Sequence, residues 1–416
     1  MKKKLISSDE LIEDLKSVIV KLKKQDPTAD ISRDYYRAHA KYTEKDVAKV
    51  FSSFSDFKNA LYRKEGNTYD VDKKLFSLME ENKELKKDKD NLIKNSINTD
   101  NLLDLYKENL VSKKTYPISN IKLNDSKNKC AILVISDLHL GEVITAEDVN
   151  GVNEFNKDIC IKRLNEIFYK FELICKKNNV FKCHIFFNGD LVNGGIHEEN
   201  TRNSDLNEVE SIFYLQEYII MKLSELSKTF NKINCDFMVG NHGRVLQKKP
   251  YFKEKVSMNY EYILGMQIKL YFDLLNKQEK NSKIFITVPK SAFIVRNVNT
   301  NRFLVSHGDI FAGGGGGGFG GLPFYSLLMN SAKFYGILHQ LGASEEVHFD
   351  NIILSHFHTV FKLPIFNGGY CYGNGCVNGT NEFSMMKMRS LAKQEQTMFI
   401  LNDDGMITHE MYLKFK

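Results

Sequence analysis

No stretch of this chain approaches the roughly 18 consecutive apolar residues that a membrane-spanning helix needs. The basic start, Met1 to Lys4, is followed by Leu-Ile-Ser-Ser-Asp-Glu rather than by an apolar segment. Neither export nor membrane insertion is expected, which points to the cytoplasm. The sequence also lacks any Cys-x-x-Cys pair. Its seven cysteines, an odd number, sit mainly in or beside apolar segments, as Cys130, Cys183 and Cys235 do. They read as reduced, buried thiols rather than a disulfide framework. Tryptophan is absent, and no strong charge excess is present: 58 Lys plus Arg stand against 52 Asp plus Glu, a net +6. That excess is localised, because residues 1–130 hold 28 basic against 22 acidic residues and the remainder is balanced. Such an asymmetry permits a contact with nucleic acid or another polyanion in the N-terminal third. What is present is enough for a folded protein: 416 residues, 42% of them hydrophobic, allow one large domain or two ordinary ones.

The N-terminal third reads as helical. Leu11, Leu15, Ile19 and Leu22 recur every three or four residues between Ser7 and Lys24, Ser7 with Glu10 can form a capping box, and Pro27 ends the pattern. A second helix is expected over Arg33–Lys41 and a third over Glu44–Leu61, with Val47, Val50, Phe51, Phe54, Phe57 and Leu61 inward. The strings Ile31-Ser32-Arg33-Asp34-Tyr35-Tyr36 and Phe51-Ser52-Ser53-Phe54-Ser55-Asp56-Phe57 resemble the small helical repeats that accompany homing endonucleases and phage-type nucleases, with Phe54 where tryptophan is usual. The resemblance implies a DNA-binding module over residues 1–65; a plain three-helix packing module is the alternative. Residues 66–129 follow as spacer and linker. A seven-residue rhythm of Val71, Leu78, Leu85 and Leu92, with Leu75, Asn82 and Lys89 at the alternate position, predicts a solvated helix that pairs weakly, so residues 70–95 are a candidate homodimer contact. Asn98–Asn128 is polar and irregular.

From Cys130 the texture changes. The apolar run Cys130–Ile135 predicts an interior strand, and it stops at Ser136-Asp137-Leu138-His139. A carboxylate and an imidazole two residues apart at a strand end can turn toward one point, which suits a metal ion. The pattern recurs. An amphipathic helix over 157–177 leads to a strand over 182–187 ending in Gly189-Asp190, and a helix over 208–230 leads to a strand over 235–239 ending in Gly240-Asn241-His242-Gly243-Arg244. This is a βαβ rhythm with candidate ligands only at the carboxyl ends of strands. Segments 283–288, 292–297 and 302–306 are short strands that suggest a second, antiparallel sheet; the last stops at His307, and a further strand over 351–354 stops at His356-Phe357-His358.

Asp-x-His, Gly-Asp, Gly-Asn-His, a lone His and His-x-His, in that order and each after a strand, resemble the calcineurin-like metallophosphoesterase family over roughly residues 131–410. The resemblance implies an α/β fold, a four-layer αββα sandwich over residues 130–416, and two divalent ions, manganese first, with iron or zinc as alternatives. By the family's pattern Asp190 bridges the ions. Asp137, His139 and His358 complete one site, and Asn241, His307 and His356 the other. His242 serves catalysis by steadying the transition state or protonating the leaving oxygen, and a metal-activated hydroxide attacks phosphorus. His339 and His348 are alternatives to His307. Three departures stand out: Gly243-Arg244 where many members carry an acidic residue, Asn193 where a second Asp is common, and Ser306 and Ser355 where Gly is frequent. Arg244 is a candidate for binding a substrate phosphate. Ala312–Gly321, with eight glycines in ten residues, reads as a mobile substrate-side loop or a plain insertion.

The substrate stays open among three readings. A DNA-directed phosphodiesterase is favoured by the basic N-terminal third and by Gly373–Gly379 with Asn381-Glu382, which look like phage-encoded nuclease relatives. A phosphomonoesterase acting on phosphoprotein or small phosphate esters, and a non-catalytic binding protein, are the alternatives.

Overall fold

The chain divides into two units, residues 1–108 and 109–416. The computed structural model describes residues 6–26, 29–64, 116–119, 123, 128–195, 204–245, 254–278, 282–311, 322–340, 348–388 and 391–415. The expected spacer helix, the candidate dimer contact over 70–95 and the glycine-rich run all lie outside them.

The first unit begins with α1 (Ser8–Gln25), closed by the expected capping box: Glu10 N donates to Ser7 Oγ at 3.2 Å and Ser7 N donates to Glu10 Oε2 at 2.9 Å. After α2 (Arg33–His39), the single helix expected over 44–61 is instead two, α3 (Glu44–Val47) and α4 (Phe54–Lys64). Local capping made the break. Asp56 N donates to Ser53 Oγ at 3.0 Å, and Ser52 N and Oγ reach back to Asp56 Oδ2, so the serines start a new helix where the apolar spacing suggested continuation. Val50 is consequently exposed, while Leu11, Leu15, Tyr36, Phe57 and Leu61 form the unit's core.

In the second unit, β1 (Cys130–Ile135) is buried along its whole length, as a strand covered on both faces must be. Then come α5 (Lys157–Lys177), β2 (Lys182–Asn188), α6 (Glu208–Leu226), β3 (Lys232–Met238), α7 (Tyr260–Gln278) and β4 (Ile284–Thr287). β1 pairs parallel with β2, β2 with β3 and β3 with β4. The segment assigned from sequence to an antiparallel second sheet thus closes the first one. Helix α7, unread in the sequence, supplies the crossover that a parallel neighbour requires. The chain continues through β5 (Phe293–Val298), β6 (Asn301–Ser306), α8 (Phe324–Gln340), β7 (Asn351–Leu354), β8 (Phe361–Pro364), β9 (Tyr370–Gly373), β10 (Glu395–Leu401) and β11 (Ile407–Lys414). Strand order is β11-β10-β1-β2-β3-β4 in one sheet and β5-β6-β7-β9-β8 in the other. Both sheets are mixed, because β10 and β11 pair antiparallel beside β1, and β6, β7 and β9 run parallel between antiparallel edges.

The two sheets share a core. Ile132, Val134, Phe186 and Met238 from the first pack with Phe303, Val305, Ile353 and Tyr372 from the second; full burial of side chains of this kind contributes about 1.5–3 kcal/mol each. Alternate residues of the second sheet, among them Leu304, Ile352 and Leu354, pack instead with Leu327 and Leu338 of α8. The seven cysteines are all buried thiols. Among the described residues, no helix is long and apolar enough to cross a membrane.

Candidate metal centre

β1, β2 and β3 of the first sheet and β6 and β7 of the second all lead, at their carboxyl ends, into the loops that carry the expected ligands. Five of those residues, Asp137, His139, Asp190, His356 and His358, hold left-handed backbone with φ between 47° and 71°. The other described non-glycine residues with positive φ are all asparagines, Asn128, Asn150, Asn179 and Asn299, a type that tolerates this region. Asp tolerates it in the same way, so the cost of about 1–2 kcal/mol per residue falls on the three histidines, and strain of this kind persists only where the surroundings impose it. The turn directly after each strand folds the side chains back toward one place.

They form three overlapping groups able to hold a metal ion: Asp137, His139 and His358; His139, Asp190 and His242; and Asp190, His307 and His356. The Nε2 atoms of His139 and His358 face each other at 3.1 Å, with Asp137 Oδ1 3.3 Å from His358 Nε2. On the other side, His307 Nε2 lies 3.0 Å from Asp190 Oδ2. Two ring nitrogens not turned to the centre are tied down. His307 Nδ1 donates to Asn188 O and His242 Nδ1 donates to Asn193 O, both at 2.8 Å, which fixes the proton on Nδ1 and leaves Nε2 to act. Asn241 Oδ1 is buried without a hydrogen-bond partner among the described residues, which a cation would remedy. The donor set of carboxylates, imidazoles and an amide oxygen fits a pair of divalent ions. Of the histidines, it is His307 that joins this set, whereas His339 and His348 stack on each other with ring centroids 3.7 Å apart.

The charges of the cluster act strongly on one another. Burial disfavours the Asp190 carboxylate, but His307, His242 and His139 outweigh it and hold the carboxyl well below the usual range. Burial likewise opposes the His307 cation, and the Asp190 carboxylate reverses that, raising it to about 10. For His356, burial and then the His307 charge lower the imidazole to about 4, and burial with His242 and His358 pushes His139 well down. Crowded imidazoles that cannot all be protonated are left neutral, the form in which a histidine binds a metal.

Sequence reasoning missed several supporting residues. Asn188 Nδ2 donates at 2.8 Å to Ser306 O and to Ser355 Oγ, joining the two sheets beneath the ligands; a serine in place of the usual glycine thus gains a partner. Asp137 is held from below, since Ser136 Oγ donates to its Oδ2 at 2.5 Å and Asn374 Nδ2 donates to Ser136 Oγ at 2.8 Å. Val377 N donates to Asp137 O at 2.9 Å, so the segment 373–379 is a brace under the first ligand loop. Gly189 is needed as glycine: φ is +83°, and a Cβ there would stand 2.6 Å from Gly240 N and 2.7 Å from His307 Nδ1. Glu261, on α7, is fully buried beside these loops, and burial together with the Asp190 charge pushes its carboxyl up to about 7. Arg244 is half-buried at the rim, within the field of Asp190 and Asp309. Asp309 is paired with Lys255 Nζ at 2.5 Å.

The sequence pattern of the calcineurin-like phosphoesterases matches residues 131–378, more than half of the chain, and the chain belongs to that family. It is a metal-dependent phosphoester hydrolase with a candidate dimetal site. Similar solved structures include an archaeal protein described as a novel phosphodiesterase, 11% identical, with 68% of this chain and 99% of that chain covered at a TM-score of 0.28. A hypothetical protein from Pyrococcus horikoshii OT3 is 11% identical, with 69% and 89% covered at a TM-score of 0.32. A dimetal phosphatase from Danio rerio is 9% identical, with 69% and 99% covered at 0.30. Likeness this distant carries no argument about substrate. No curated protein matches the chain in sequence.

Proposed function

We propose that the chain hydrolyses phosphodiesters, DNA first among them, with a pair of divalent ions, manganese before iron or zinc. Asp190 would lie between the ions, with Asp137, His139 and His358 holding one and Asn241, His307 and His356 the other. The observation that carries this reading is the convergence of the Nε2 atoms of His139 and His358 beside Asp137, with Asp190 shared by two of the three groups. Such ions, when bound, polarise phosphoryl oxygens and lower the pKa of water for in-line attack. The side chains do the rest. His242 keeps its Nδ1 proton on Asn193 O and turns Nε2 to the substrate; as the imidazolium it donates its Nε2 proton to the leaving oxygen and is left as the neutral Nδ1–H tautomer. The Asn193 main-chain carbonyl thus serves where a carboxylate is common. Arg244 binds a non-bridging phosphate oxygen from the rim. The four-layer αββα arrangement, the likeness to phage-type nucleases, a DNA-directed role for the N-terminal helices, weak dimerisation through 70–95 and a cytoplasmic location belong to the same proposal.

A phosphomonoesterase is the second reading, and one observation favours it. Arg33 and Arg37 both pair with Glu44, Lys58 pairs with Asp30, and residues 6–64 hold 12 basic against 10 acidic residues. Helices so nearly balanced suit protein docking as well as phosphate contact. The test is turnover of a bis-aryl phosphodiester, an aryl phosphomonoester and labelled single- and double-stranded DNA with manganese, beside His242→Ala. Cleavage of DNA and diester that is lost in the variant supports the first reading. Monoester turnover with intact DNA supports the second, and no turnover with any metal leaves a binding protein.

A further inference from the structure

Between the loops that carry Asp190 and Asn241 stands a carboxylate from an element that contributes no ligand. Glu261, in the first turn of α7, is 1% exposed. It accepts from Leu191 N on one oxygen and from Gly240 N on the other, the latter at 2.6 Å. These two amides directly follow Asp190 and precede Asn241 in the chain. The same helix start grips the second loop again: Asn259 Nδ2 donates to Gly240 O at 2.9 Å, Tyr260 N donates to Gly243 O at 2.7 Å, and Asn259 Oδ1 in turn accepts from Glu261 N at 2.9 Å. Close contact joins the loops themselves, since His242 N donates to Asp190 Oδ1 at 2.8 Å and a Cβ on Gly240 would stand 2.1 Å from that oxygen. A small shift of either loop is therefore felt by both.

An independent observation concerns Gly243, where many family members carry an acidic residue. A Cβ at Gly243 would stand 2.5 Å from Asn259 Oδ1, 2.8 Å from Glu261 Cγ and 3.0 Å from its Cδ. The Asn259 and Glu261 side chains together occupy the space that a side chain at 243 would enter.

We propose that Glu261 is a positioning residue that sets the distance between Asp190 and Asn241, a carboxylate delivered from α7 in place of the one missing after the Gly-Asn-His motif. Two buried backbone amides bonded to one carboxyl group lock both loops to one rigid helix, most strongly when that group is ionised. Supporting groups of this type change metal affinity about 10–100-fold when altered. The inference rests on the reading of Asp190 and Asn241 as ligands.

The experiment is calorimetric titration of the full chain with manganese for wild type, Glu261→Gln and the double variant Gly243→Glu with Glu261→Ala, with thermal melts and diester kinetics on each. Gln keeps the shape but sets an amide NH2 against one of the two backbone N–H groups. Manganese affinity is expected to fall about 10–100-fold in Glu261→Gln, with kcat reduced and KM for the diester little changed, and to return to within about tenfold of wild type in the double variant. Wild-type affinity and kcat in Glu261→Gln overturn the proposal, as does a lower melting temperature with unchanged affinity in the folded protein. If Glu261→Gln does not fold, the double variant decides: manganese binding supports the proposal and its loss overturns it. A wild-type chain that binds no manganese instead overturns the reading of the metal centre itself.

Discussion

The two units treat polar side chains in opposite ways. In the N-terminal unit they pair at the surface, as Arg33 does with Glu44, where the side chains are 65% and 28% exposed. Beneath them is a small apolar core of the Leu15, Tyr36 and Phe57 kind. In the phosphoesterase unit Asp137, Asp190 and His307 are 0%, 1% and 1% exposed, and the backbone beneath five of the expected ligands is left-handed. Surface pairs are worth about 0–1 kcal/mol and carry little information about function. Burying several carboxylates and imidazoles together on left-handed backbone costs stability, and that combination marks a functional centre. What the comparison teaches is that purpose in this chain is written where polarity is least affordable.

The contrast sharpens under mutation, most of all at its centre. Asp190→Ala should lower diester turnover about a thousandfold or more, because it removes the group shared by two ligand sets. His242→Ala should cost about 10²–10⁴-fold in kcat while leaving ion binding intact, which separates proton donation from metal holding in paired kinetic and binding assays. A buried pair away from the centre tests stability alone. Asp236 accepts from Arg296 Nε and Nη2 at 2.7–2.9 Å and lies 2.6 Å from His184 Nε2; Asp236→Ala should destabilise the fold by about 3 kcal/mol in urea unfolding, since Arg296 remains partly solvated.

Acid should act through the same carboxyl. Burial opposes its ionisation, but the hydrogen bonds and charges of His184 and Arg296 hold it below the usual 3.8. The unfolded chain therefore takes up the proton first. The stability Asp236 supplies is complete above about pH 4 and is lost as pH falls through the lower, folded value. Urea midpoints measured from pH 5 downward should fall less steeply in Asp236→Ala than in wild type. The smallest effect belongs to the first unit, where Arg33→Ala and Arg37→Ala should each shift stability by less than about 1 kcal/mol.

Much of the centre could be read in advance because its residues sit in short strings beside strands. An apolar run followed by Asp137-Leu138-His139 or His356-Phe357-His358 is local information, and α5, β2 and β7 were legible from period and length. What escaped was long-range. Asn188, Asn374 and Glu261 act on loops far off in sequence; Asn188 adjoins Gly189-Asp190 and Asn374 lies within 373–379, yet nothing local tells which loops they hold. β4 was placed in the wrong sheet because sheet membership is set by the α7 crossover, not by the spacing of short strands. The split between α3 and α4 was hidden by a continuous apolar period that Ser53 and Asp56 override through capping.

The most direct test of the metal centre is ion stoichiometry. The full chain and Asp190→Ala would be titrated with manganese in a calorimeter, with elemental analysis of the dialysed complexes. Two ions per wild-type chain, both weakened together in the variant, are predicted. One ion or none in wild type, or two ions held by Asp190→Ala with undiminished affinity, would contradict the account.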